Sequence, residues 1–129
     1  MVIDTSAVLA ILLREPDAPE FAAAIEAAEV VLVSAATRVE AALVVESRVV
    51  PQGREQLAAF WRAANAQTVA VTPVQAELAI DAFRRFGKGR HKAGLNFGDC
   101  FAYALAKATS EKLLFKGDDF ALTFSIFNF

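Results

Sequence analysis

The chain has 129 residues, with 13 Lys and Arg against 15 Asp and Glu for a net charge of −2, and 56% of its residues are hydrophobic. That length suits one domain, residues 1–129, whose core needs neither a disulfide nor a structural metal, and a charge so near neutral does not mark the whole chain as a nucleic-acid binder. Cys100 is the only cysteine, which excludes an intramolecular disulfide, a thiolate zinc site and a CxxC redox pair and fits a reducing cytoplasm.

Met1 to Asp4 reads as a short buried strand, with Thr5 or Ser6 as the N-cap of a helix carrying Val8, Leu9, Leu12 and Leu13. The apolar run Ala7 to Leu13 is far too short to span a bilayer, and no basic leader precedes it, so neither secretion nor membrane insertion is expected. Asp17 to Ala28 has the spacing of a helix, Val30 to Val33 that of a second strand, and Ser34 caps a third helix from Ala35 to about Val49. Pro51 and Gly53 end that helix before a fourth from about Arg54 to Ala64. Thr68 to Thr72 reads as a third strand, Pro73 opens a helix that Gly87 and Gly89 close, Asn96 introduces a helix to about Thr109, and Leu113 to Phe115 is a fourth strand. This alternation predicts an α/β fold of three layers, α/β/α, around a parallel sheet of four to five strands, with ligands bound beyond the strands' carboxyl ends. The mean hydropathy of +0.40 is high for a soluble monomer and predicts an apolar oligomer or partner interface.

Asp4, Glu40, Asp99 and the pair Asp118 and Asp119 each sit against an apolar segment. Each has an ordinary explanation. Asp4 suits a strand-to-helix cap, Asp99 is three residues after Asn96 and suits a capping box, Glu40 suits a narrow polar stripe, and Gly-Asp-Asp is a common turn. A shared pocket at the sheet's carboxyl edge accounts for all of them together. Carboxylates about 5 Å apart repel by roughly 3 kcal/mol at an effective dielectric of 20, and a hard divalent cation compensates that best. The segment Arg84 to Lys92, RRFGKGRHK, carries five Lys or Arg and no acid. Its Lys88, Arg90, His91 and Lys92 suit either flanking RNA phosphates or a solvated loop. Trp61 with Phe60 reads as core or interface, and Cys100 as a small buried side chain.

MVIDTSA at the start, RVEAALVVE in the third helix, KGRHKAGLNFGDCFAYALA, and LLFKGDDF near the end together resemble the PIN-domain ribonucleases, in particular the VapC toxins of bacterial type II toxin–antitoxin modules. The resemblance covers nearly the whole chain. It implies a Mg²⁺- or Mn²⁺-dependent endoribonuclease whose acidic quartet falls on Asp4, Glu40, Asp99 and Asp119, with Asp118 the alternative. Thr5, Ser6 and Asn96 match supporting positions. It also implies in-line hydrolysis leaving a 5′-phosphate and a 3′-hydroxyl, structured targets such as tRNA or rRNA, a homodimer, and silencing by a VapB-type antitoxin. The chain departs from the family after its Asp-Phe, where it reads ALTFSIFNF. There Phe124 stands in the place of the usual acid, and Phe120, Phe124, Phe127 and Phe129 suit a core or partner surface. Two rivals share the fold class: a phospho-receiver domain, which lacks an acceptor aspartate after its third strand, and a catalytically degenerate PIN-fold interaction module.

Overall fold

Strands and helices alternate along the chain in the computed structural model, which describes residues 1–48 and 52–117. In order these are β1 (Val2–Ile3), α1 (Thr5–Leu12), α2 (Ala18–Ala27), β2 (Leu32–Ser34), α3 (Ala35–Ser47), α4 (Gly53–Ala64), β3 (Gln67–Val69), α5 (Pro73–Phe86), α6 (Phe97–Thr109) and β4 (Leu113–Leu114). The described strands form one sheet in the order β3-β2-β1-β4, and every pairing is parallel.

The two-residue period of the strands divides the core into two layers. Val2 is level with Leu32 and Leu113, and all three face the cluster built with α5 and α6. Ile3 is level with Leu114, and together with Val33 they face the cluster built with α1 to α4. A sheet apolar on both faces must be covered on both, which gives the expected three layers with four described strands.

The chain passes from β1 outward through β2 to β3, then returns to add β4 on the other side of β1. Strand order therefore reverses between β1 and β4. In open parallel sheets a crevice opens at the carboxyl ends of the strands where this happens, which places Asp4 and the segment after β4 at its mouth.

Element bounds follow capping chemistry. Ser34 Oγ accepts from Ala36 N at 3.2 Å at the start of α3, and Thr72 Oγ1 accepts from Gln75 N at 3.2 Å where Pro73 opens α5. The third strand is shorter than the expected span to Thr72, because β3 lies at the sheet edge with Gln67 and Thr68 exposed, and Thr72 serves as the cap of α5. None of the described helices is long and apolar enough to cross a membrane.

Leu105, fully buried in α6 against the sheet, is a point on which this layer depends. Leu105→Ala is expected to lower unfolding stability by about 2–5 kcal/mol, read as a lower urea midpoint with an unchanged m-value.

Candidate active site

β1 runs out at Ile3, and Asp4 continues in extended backbone, its N–H donating to Leu114 O at 3.0 Å. Of the cap candidates the sequence offered, the Asp4 side chain, and not that of Thr5 or Ser6, caps α1. Its Oδ2 accepts from Ser6 N at 3.0 Å and from Ser6 Oγ at 2.6 Å. The reason is local: a carboxylate in the cap position reaches the amide two residues on, one of the helix's unpaired donors. Its other oxygen, Oδ1, is buried with no hydrogen-bond partner among the described residues. With Asp4 only 3% exposed, burial pushes its carboxyl up to about 6, nearby Glu40 adds to the rise, and the Ser6 hydrogen bonds oppose it.

Glu40 projects from α3 toward the same place. Thr5 Oγ1 donates to Glu40 Oε1 at 2.5 Å, so the buried threonine beside Asp4 holds the second acid. On its other side Glu40 meets Gly98 in the first turn of α6, where a methyl group would overlap the carboxylate. Of the residues around Glu40, Thr37 is fully buried and Val44 packs against the core, while Val39 is 59% and Leu43 61% exposed. With Phe97, 79% exposed, Val39 and Leu43 line an open groove between α3 and α6 that Glu40 also lines.

Asp99 follows Gly98 directly and is buried. Asn96 Oδ1 accepts from Asp99 N at 2.9 Å while Asp99 Oδ2 accepts from Asn96 N at 3.0 Å, the capping box expected at this helix start. The segment leaving β4 arrives beside the same cluster, with Lys116 N donating to Ser6 Oγ at 2.9 Å. Gly117 takes a positive φ of 101°. Asp118 and Asp119, the fourth-acid candidates, lie outside the described residues, as do Phe120, Phe124, Phe127 and Phe129.

The fold thus makes Asp4 and Glu40 electrostatic neighbours and sets Asp99 one residue from the glycine that touches Glu40. Among the described residues no three His, Cys, Asp or Glu side chains are grouped closely enough to hold a metal ion by themselves. The donor chemistry nevertheless suits a hard cation. Asp4 presents a buried oxygen without a partner among the described residues, next to a second carboxylate, an arrangement that oxygen-seeking Mg²⁺ or Mn²⁺ would relieve.

Lys88, Arg90 and Lys92 are exposed on the loop between α5 and α6. The loop's base is closed by Lys88 N to Leu95 O at 2.8 Å and Leu95 N to Phe86 O at 3.0 Å, so the loop returns directly before Asn96. His91 is partly buried, its Nδ1 accepting from Ala93 N at 3.0 Å and its ring edge-on to Phe86, a loop-shaping role. Cys100 is buried, as expected of a small apolar side chain, and burial together with Asp99 pushes its thiol up to about 11. Trp61 is core. Sequence reasoning missed Gly98 and Lys116. A glycine inside an otherwise well-formed first helical turn was the available signal for the former.

A family model for the PIN domain matches residues 1–123. The chain belongs to the PIN-domain family. Within it, this PIN-domain chain is 51% identical to ribonuclease VapC30 of Mycobacterium tuberculosis over 123 residues, 95% of this chain and 94% of that protein. It is 50% identical to a ribonuclease VapC of Mycolicibacterium smegmatis over 95% of both chains. These place it in the VapC ribonuclease branch. The crystal structure of Mycobacterium tuberculosis VapC20, a sarcin-ricin loop cleaving toxin, superposes with a TM-score of 0.73 over 95% of each chain at 19% identity, a likeness of fold.

Two outcomes follow from the geometry. Between the ordinary carboxyl value of 3.8 and about 6, the folded chain keeps a proton on Asp4 that the unfolded chain has already released. Stability of the metal-free protein in EDTA therefore falls as pH rises through this window, by up to about 3 kcal/mol from Asp4. Denaturation at pH 4 and pH 7 is expected to show that loss in the parent and much less of it in Asp4→Asn. Gly98→Ala is expected to keep or raise helix stability by up to about 1 kcal/mol while displacing Glu40 from Thr5, so that RNA cleavage falls without a lower melting temperature.

Proposed function

We propose that this VapC-branch ribonuclease hydrolyses phosphodiester bonds of structured RNA, such as tRNA or rRNA, at the pocket built from Asp4, Glu40 and Asp99, with Mg²⁺ or Mn²⁺ as cofactor. The observation that carries this reading is the buried Asp4 carboxylate, one oxygen saturated by Ser6 and the other without a partner among the described residues, with Glu40 raising its cost. Asp4 and Asp99, completed by Asp119 or Asp118, would hold the cation, and Thr5, Ser6 and Asn96 support them. When bound, the metal lowers the pKa of water and offsets charge building on the scissile phosphate.

The chain's own groups supply the rest. Glu40, fixed by the Thr5 hydroxyl, orients the attacking water and accepts its proton at a carboxylate oxygen. The amide-rich start of α6 faces phosphate charge favourably. Lys88, Arg90, His91 and Lys92 grip phosphates flanking the scissile one, which gives affinity that weakens with salt and little reading of sequence. The exposed apolar surface of Val39, Leu43 and Phe97 supports a homodimer, and the VapC names of its relatives support a VapB-type antitoxin as the silencing partner in the cytoplasm. Residues 1–129 then work as a single PIN-like unit.

With purified protein and a labelled structured RNA, Asp4→Asn, Asp99→Asn and Glu40→Gln are each expected to slow cleavage on the order of a hundredfold or more, and EDTA to abolish it. Cleavage at the parental rate by Asp4→Asn and Asp99→Asn would refute the assignment.

A further inference from the structure

Lys116 makes two long-range attachments, one through its backbone and one through its ammonium. Its backbone N–H donates to Ser6 Oγ at 2.9 Å, and that hydroxyl in turn donates to Asp4 Oδ2 at 2.6 Å. A serine hydroxyl has one proton and a rotatable O–H. Accepting from Lys116 N commits the hydroxyl's lone pair on that side and directs its proton to Asp4. The ammonium of the same residue is bonded to Glu15 Oε2 and, at 3.1 Å, to Asp17 Oδ1.

The acids it holds sit on an ordered turn between α1 and α2, closed by Glu15 N to Ala10 O at 2.9 Å and Ala18 N to Glu15 O at 2.9 Å. Asp17 occupies the N-cap position of α2 yet makes no side-chain capping hydrogen bond. Its carboxylate serves Lys116 instead. These partners are 101 and 99 residues from Lys116 in sequence, so the contact joins the end of β4 to the far end of the helix that Asp4 caps.

We propose that Lys116 is a positioning residue for Asp4. Its ammonium clamps the exit of β4 to the turn carrying Glu15 and Asp17, its amide holds Ser6, and Ser6 holds Asp4 Oδ2 so that Oδ1 is the oxygen presented to the cation. The inference rests on the reading of Asp4 as a metal ligand. Partly exposed ion pairs contribute little to stability, so the effect of this one falls on site geometry. Without the ammonium, Glu15 and Asp17 repel each other and the exit of β4 is released from the turn.

The test is Mn²⁺ affinity of the full chain by titration calorimetry, beside RNA cleavage and metal-free melting. Lys116→Met is expected to weaken Mn²⁺ binding by roughly tenfold, the lower end of what outer partners of a metal ligand contribute, with little change in metal-free melting. Lys116→Arg restores most of that affinity. The sign is diagnostic, because removing a positive charge near a cation site by electrostatics alone would tighten binding. Glu15→Gln with Asp17→Asn weakens binding too, and adding Lys116→Met to that pair costs nothing further. Parental or tighter binding by Lys116→Met, failure of arginine to rescue, or additive losses overturns the proposal. If the parent binds Mn²⁺ and Asp4→Asn does not, any of those failures refutes the Lys116 role alone; if the parent takes up no Mn²⁺, the metal reading falls and this inference with it.

Discussion

A carboxylate buried at the end of a central strand sets the terms for this molecule. Asp4 is almost inaccessible, close to Glu40 and hydrogen-bonded on only one oxygen among the described residues. Burying a charge without a partner is expensive, and a side chain commonly answers by holding its proton. The raised carboxyl of Asp4 is that answer. In the proposed function, affinity for a cation would be the counterpart of the same cost, since positive charge beside Asp4 would relieve it.

Structural duties fall on the same side chains to which the proposed chemistry is assigned. Asp4 caps α1 through Oδ2, and Asp99 closes the capping box of α6 through Oδ2. Capping locks each carboxylate in one orientation, and such fixed first contacts are what a catalytic cluster requires. Thr5 and Ser6 divide the support between them, Thr5 holding Glu40 and Ser6 holding Asp4. Gly98 makes room for Glu40 by lacking a side chain, so the close approach of α3 to the start of α6 is written in a missing atom.

Much of this was legible along the chain. The alternation of short β-branched or Leu-rich runs with longer helical periods foretold a parallel three-layer fold, and the caps at Ser34 and Asn96 stand where their residue types predicted. The acid after the first strand was legible because charge interrupts an apolar run. Around Glu40 the spacing marks a face of α3 on which Thr37 is buried and Val44 packs against the core while Leu43 faces an open groove, since spacing identifies a helix face and cannot say what covers it.

The sequence by itself determined the elements, their order and the acids at their ends, because strand and helix periods, caps and turns are decided by residues within a few positions of one another. Only the tertiary structure decided that Thr5 meets Glu40, that Glu40 lies against Gly98, and that Lys116 reaches Glu15 and Asp17. Those contacts join segments 35 to 101 residues apart. They exist because the sheet sets β2 and β4 on either side of β1 and packs α3 against both α1 and α6, and no local pattern encodes which distant side chains that arrangement brings together.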